Sequence, residues 1–267
     1  MKMPTAESSG VRLHYEVSGN PRGPVLVLAN SLGSDLRMWG KVLPAFESKF
    51  RVLRFDMRGH GGSEVAPAPF TIEQLGRDVL RLLDEVHAHR ASVCGLSLGG
   101  LVALWLGIHA PERVDRLIFA NTAARIGTRE MWEQRIAIAQ NAGMSPLAEM
   151  MPERWFTPAY RARHADEMER IRAMIAATDP SGYAACCAVL RDTDLRGEIA
   201  LVEVPTLVIT GTHDPATPPC DGRALHAVIR NSRYLELDAS HLSAWERAEE
   251  FAGAVMQHFA AGEDVDG

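Results

Sequence analysis

The stretch Ser92-Val93-Cys94-Gly95-Leu96-Ser97-Leu98-Gly99-Gly100-Leu101 decides the fold. Its first residues form a short apolar run of strand type, and its last ones open a helical run that reaches His109. Between them lies Gly95-Leu96-Ser97-Leu98-Gly99, a Gly-x-Ser-x-Gly turn in the strand-to-helix context of a nucleophile elbow. Such a turn is so sharp that a side chain at either glycine would collide with backbone, while the serine hydroxyl stands out above the sheet. The helix that follows aims its first N–H groups at the same point.

Outward from this turn, further runs dense in Val, Leu and Ile read as buried parallel strands: Val25 to Ala29, Val52 to Phe55, Leu117 to Phe119, Thr206 to Ile209 and Tyr234 to Leu237. Helical spacing separates several of them, over Thr71 to Val86, Leu98 to His109, Cys220 to Ile229 and Ala244 to Phe259. This alternation predicts an α/β fold with a mostly parallel, doubly wound sheet. Val11 to Val17 alternates apolar with polar residues, which predicts a half-solvated antiparallel strand at the edge. From 122 to 193 the strand signal disappears, leaving helical spacing punctuated by Pro146, Pro152, Pro158 and Pro180. The expected division is therefore a core of residues 1–121 and 194–267 with an inserted helical cap of residues 122–193. The cap is nearly neutral, nine arginines and no lysine against nine acids, whereas the whole chain carries -6. The tail from Ala261 to Gly267 reads as frayed.

A net charge of -6 lacks the basic excess that a phosphate backbone demands, so nucleic acid is not an expected partner. No stretch has the length and apolarity of a bilayer span, and Met1 to Gly10 has no leader-type apolar run, so a cytoplasmic protein without membrane association is expected. Cys94, Cys186, Cys187 and Cys220 lack zinc spacing and are expected to be reduced and buried.

A serine hydroxyl is a weak nucleophile at neutral pH and needs a His and a carboxylate, in the chain order Ser, acid, His. Asp214 follows the strand run Thr206 to Ile209 within Thr210-Gly211-Thr212-His213-Asp214-Pro215, and His241 follows the last strand run in Asp238-Ala239-Ser240-His241. Both fall at a strand's carboxyl end, where open α/β sheets collect their ligands and catalytic groups. Taken alone, Asp214 fits a turn residue and His241 a helix cap. The elbow favours the set of Ser97 as nucleophile, Asp214 as orienting acid and His241 as base. Asp238 is the rival acid, and His213 reads as a loop residue. The oxyanion requires two donors: Leu98, directly after the nucleophile, and a residue of the loop Asn30-Ser31-Leu32-Gly33, with Leu32 N–H the candidate. The loop Asp56-Met57-Arg58-Gly59-His60-Gly61-Gly62-Ser63 lacks dinucleotide spacing and reads as a structural turn.

On these motifs the chain resembles the α/β-hydrolase superfamily over roughly residues 10–260 and, more narrowly, the bacterial 3-oxoadipate enol-lactonases. The narrower likeness rests on Asn30-Ser31-Leu32-Gly33, where most relatives carry His-Gly, and on the Met38-Trp39 pair. A serine at position 97 separates the chain from the dehalogenases and epoxide hydrolases it also resembles, which carry Asp there. The resemblance implies a small enol-lactone with one carboxymethyl arm as substrate, opened to 3-oxoadipate through an acyl-enzyme without metal or organic cofactor. The anionic arm calls for a cap arginine, Arg135 or Arg154, with Trp132 and Trp155 as walls of a small pocket. General carboxylesterases and carbon–carbon hydrolases of ring-fission products share the same elbow, acid and base. A ligand receptor on a hydrolase fold is the reading from another class. Oligomeric state is not encoded in any of these features.

Overall fold

The protein was analysed as a computed structural model that describes residues 4–66 and 68–260; the tail expected to fray, 261–267, lies outside them. Eight strands form the sheet: β1 (Thr5–Ser8), β2 (Val11–Gly19), β3 (Val25–Ala29), β4 (Arg51–Phe55), β5 (Ala91–Leu96), β6 (Val114–Ala120), β7 (Thr206–Gly211) and β8 (Ser232–Leu237). Their spatial order is β1-β2-β4-β3-β5-β6-β7-β8. The pairs β1–β2 and β2–β4 are antiparallel, and from β4 to β8 every pairing is parallel. The central strands are buried on both faces, which is why β3 reads as an unbroken apolar run and β4 and β5 are dense in apolar residues.

The edge differs from expectation. Val11–Gly19 is antiparallel but lies inside the sheet, and the edge belongs to Thr5–Ser8, whose four residues Thr-Ala-Glu-Ser carry too little apolar signal to announce a strand. The last helical run also differs. It breaks into Ser243–Glu246 and Ala248–Ala260, with Arg247 outside helical geometry (φ -126°, ψ 51°). Of the cysteines, Cys94, Cys186 and Cys187 are buried thiols, whereas Cys220 is exposed near the start of the helix Pro219–Val228.

Between β6 and β7 the chain leaves the sheet and forms five helices: Arg129–Ala142, Ser145–Trp155, Pro158–Arg163, Ala165–Ala176 and Pro180–Asp192. Pro146, Pro158 and Pro180 stand in first turns, where a missing N–H costs nothing, and Pro152 alone falls inside a helix. Thr128, Thr157 and Asp179 cap three of these helices by accepting free N–H groups. The last helix meets the core backbone to backbone. A Cβ built on Gly59 would lie 2.4 Å from the Cα of Gly182, and one built on Gly182 would lie 2.4 Å from the carbonyl oxygen of Gly59. No single described helix is long and apolar enough to cross a membrane.

Candidate active site

At the end of β5 the backbone of Ser97 takes φ 57° and ψ -114°, an unusual conformation for a residue with a Cβ. The flanking glycines make the turn feasible: a Cβ on Gly95 would lie 2.0 Å from the carbonyl oxygen of Gly99, and one on Gly99 would lie 2.0 Å from that of Ala29. Ser97 N–H donates to Ala120 O (3.0 Å), and its own carbonyl accepts the Thr122 hydroxyl (2.7 Å). These bonds to and beyond β6 fix the strained residue.

Asp214 follows β7 and is buried with His241, which follows β8. His241 Nδ1 lies 2.8 Å from Asp214 Oδ2. The same oxygen accepts Asn121 Nδ2 (2.9 Å) and Thr217 Oγ1 (2.7 Å), while Oδ1 accepts the N–H groups of Ala216 (2.8 Å) and Thr217 (3.1 Å). Burial by itself would push this carboxyl up, but attraction to His241 and the donated hydrogen bonds outweigh it and hold the group below its ordinary value. Asp214 is thus kept as a carboxylate that can receive Nδ1–H, which would leave the other ring nitrogen of His241 bare. Asp238 pairs instead with His213 Nε2 at 2.9 Å, both side chains being well exposed.

Ser97 and His241 line one cavity with Leu32, Trp132, Arg135, Arg154 and Trp155. Its volume is about 30 Å³, room for no more than a few waters. Among the described residues Ser97 Oγ and the His241 ring share no direct hydrogen bond, a spacing that such sites often tighten only with substrate in place. Arg135 stacks over Trp132, 5.3 Å from the ring centroid, and donates to the Tyr183 hydroxyl at 3.3 Å. Arg154 reaches Pro215 O at 3.4 Å. Neither forms an ion pair with an acid among the described residues. Burial and then repulsion from Arg135 lower the affinity of Arg154 for its proton, with the Asp214 charge opposing them. Two guanidiniums therefore line one small space with no carboxylate in ion-pair contact among the described residues. No three His, Cys, Asp or Glu side chains among the described residues converge as metal ligands.

The loop after β3 is held on both sides of Leu32. Asn30 is held by Trp39 Nε1 donating to its Oδ1 (2.8 Å) and by its own Nδ2 donating to Phe55 O (2.8 Å), and its carbonyl accepts Gly99 N–H (3.0 Å). Ser31 N–H donates to Met38 Sδ (3.2 Å), Gly33 N–H to His60 Nε2 (3.1 Å) and Ser34 N–H to Ser31 O (3.3 Å). Among the described residues, Leu32 N–H, between the held N–H groups of Ser31 and Gly33, and Leu98 N–H, at the head of its helix, have no protein acceptor.

A family model described as the alpha/beta hydrolase fold matches residues 24–248. The chain belongs to the α/β-hydrolase family. This α/β-hydrolase is 39% identical over 258 residues to 3-oxoadipate enol-lactonase 2 of Acinetobacter baylyi, covering 96% of this chain and 97% of that protein. It is 36% identical over 242 residues to 3-oxoadipate enol-lactonase 1 of the same organism, with 91% of each chain covered. Among solved structures, the crystal structure of the enol-lactonase from Burkholderia xenovorans superposes with a TM-score of 0.95 at 45% identity, covering 96% of this chain and 100% of that one. The hydrolase is thus enol-lactonase-like over nearly its full length.

Sequence reasoning passed over Asn121 and Thr217, which share the Asp214 carboxylate. Asn121 stands just past the carboxyl end of β6, where the strand-end rule could have found it. Thr217 follows Asp214 by three residues, the spacing at which an aspartate commonly accepts local donors.

Proposed function

We propose that the protein is a serine hydrolase that opens 3-oxoadipate enol-lactone to 3-oxoadipate, with Ser97 as nucleophile, His241 as general base and Asp214 as the acid that orients it. The observation that carries the substrate reading is the pair of uncompensated arginines, Arg135 and Arg154, beside Ser97 and His241 in one small cavity. A carboxymethyl arm supplies the missing anion. The likeness to enol-lactonases of known name supports the ring chemistry.

Ser97 Oγ attacks the lactone carbonyl as His241 takes the hydroxyl proton, and the oxyanion of the tetrahedral intermediate accepts the N–H groups of Leu98 and Leu32. The ring C–O bond breaks to release an enolate that remains tethered to the acyl-enzyme. The imidazolium of His241 passes its proton to the enolate carbon, which yields the ketone, restores the neutral base and removes the nucleophile that would reclose the ring. Water, deprotonated by His241, then cleaves the acyl-enzyme and frees the second carboxylate. Residues 122–193 act in this scheme as a cap: Trp132, Arg135, Arg154 and Trp155 bind the substrate from above while the core does the chemistry.

The test is kcat/KM for the enol-lactone, its methyl ester, a ring-fission dienoate and p-nitrophenyl acetate in one assay. The free-acid lactone is expected to exceed the others by at least about 100-fold, the scale of one buried charge pair. Preference for the dienoate, or indifference to the methyl ester, would overturn the lactonase reading and leave a hydrolase of another substrate.

A further inference from the structure

The loop of residues 56–63 grips the oxyanion loop at two points. Asp56 Oδ1 accepts Leu36 N–H at 2.8 Å, and His60 Nε2 lies 3.1 Å from Gly33 N. We propose that His60 is a positioning residue of the hydrolytic reaction: its ring, bare at Nε2, accepts the Gly33 N–H and thereby keeps the adjacent Leu32 N–H turned into the catalytic cavity. This inference rests on the assignment of Leu32 to the oxyanion hole.

Both ring nitrogens of His60 meet groups of fixed polarity. Nδ1 lies 3.3 Å from Arg58 O, which only accepts, so Nδ1 carries the hydrogen. Gly33 N–H only donates, so Nε2 must be without one. The ring is buried at 2% exposure, and its backbone is pinned by His60 N–H to Met57 O and by Ser63 N–H to His60 O, each at 2.9 Å. Arg58, whose carbonyl fixes the tautomer, is itself held by the buried Asp78 carboxylate at 2.6 and 2.5 Å. A protonated ring would set a donor against the Gly33 donor. Burial disfavours that charged state, outweighing the Arg58 carbonyl and the charges of Asp56, Asp35 and Asp179 that favour it. The arrangement therefore converts a buried neutral histidine into a rigid acceptor, where a mobile or ionised side chain would leave Gly33 N–H buried and unpaired.

The Gly33 nitrogen is bonded to the Leu32 carbonyl carbon, three bonds from the Leu32 nitrogen, so a shift of one N–H carries to the other. Loss of an oxyanion donor lowers kcat by about 10²- to 10³-fold, and a partial misplacement costs less. The experiment compares His60→Leu, which fills the volume without an acceptor, with His60→Gln, whose amide oxygen can accept Gly33 N–H. Each full-length variant is assayed on p-nitrophenyl acetate and by the rate at which a fluorophosphonate modifies Ser97, since the phosphoryl oxygen must enter the oxyanion hole. His60→Leu is expected to lower kcat and the modification rate together by about 10- to 100-fold, with KM within about 3-fold, and His60→Gln to restore most of both. A folded His60→Leu with wild-type rates, or His60→Gln as slow as His60→Leu, would overturn the proposal. Should neither variant fold, ¹⁵N NMR of the wild-type histidine rings decides it: a protonated Nδ1 with bare Nε2 supports the role, and a hydrogen on Nε2 refutes it. Failure of the reagent to modify Ser97 in the wild-type protein would instead overturn the nucleophile assignment, and this inference with it.

Discussion

The two walls of the cavity are made to different standards of rigidity. On the core side, the Asp214 carboxylate takes bonds from Asn121, Ala216, Thr217 and His241 at 2.7 to 3.1 Å, and Ser97 is locked in a strained turn by its neighbours on β6. On the cap side, Arg135 and Arg154 each hold one long hydrogen bond, 3.3 and 3.4 Å, and neither meets a carboxylate among the described residues. A group that must develop charge in a transition state benefits from fixed partners that do not reorganise. A group that must admit a substrate into about 30 Å³ has to yield first. Under the proposed reaction, the fixed wall holds the groups that do the chemistry and the looser wall those that choose the substrate.

The largest effects should come from breaking the rigid side. Ser97→Ala is expected to lower kcat by about 10⁴- to 10⁶-fold, and Asp214→Asn by about 10⁴-fold, with thermal unfolding showing that the fold survives. The double variant should be little worse than Ser97→Ala, because the residues act as a unit. Near-wild-type turnover in a folded Ser97→Ala protein would place the chemistry elsewhere.

Changes on the yielding side should be smaller and should depend on the substrate. Arg135→Ala or Arg154→Ala is expected to cost ~2 to 4 kcal/mol in kcat/KM for the carboxylate-bearing lactone, on the scale of truncating a buried charged partner. The same variants should change the methyl ester of that lactone far less. Equal losses on both substrates would mean that the arginines support structure and do not read the anion.

The smallest effect sharpens the contrast by naming a carboxylate that stands outside it. Asp238, three residues before His241, is paired with His213 where both are exposed, and exposed pairs contribute ~0 to 1 kcal/mol. Asp238→Asn should leave kcat within about 2-fold of wild type, by the same reasoning that surface substitutions are close to neutral. A loss as large as that of Asp214→Asn would reverse the assignment of the acid.

What the chain revealed before folding follows the same division. The parallel strands were legible because burial on both faces forces continuous apolar runs, as at Val25–Ala29, and the elbow because its glycines contact backbone and tolerate no side chain. Thr5–Ser8 was not legible, since an edge strand of four residues needs few apolar side chains. The continuous helix expected over Ala244 to Phe259 breaks at Arg247, and beside the break Glu246 accepts Ser240 N–H at 3.0 Å and the distant Thr157 N–H at 3.2 Å, the second a contact that helical spacing does not encode. The loop of residues 56–63 looked like a plain turn because its partners, Gly33 and Leu36, lie twenty or more residues away in sequence. Asn30, Met38 and Trp39 marked a resemblance, but only the folded chain shows why they travel together: Trp39 and Met38 bind the two residues that precede Leu32.

The bare backbone contact of Gly59 with Gly182 gives the cap a fulcrum. A helix that rests on the core through side chains can lean as those side chains change rotamer, but two chains touching at main-chain distance have nothing to compress. Displacement of this end of Pro180–Asp192 is therefore resisted, and Arg135, bonded to the hydroxyl of the adjoining Tyr183, stands close to the fixed point. Because Gly59 immediately precedes His60, a methyl group added at either glycine would act as a wedge, prying the cap from the loop beneath the oxyanion donor and loosening with one carbon atom both walls of the cavity.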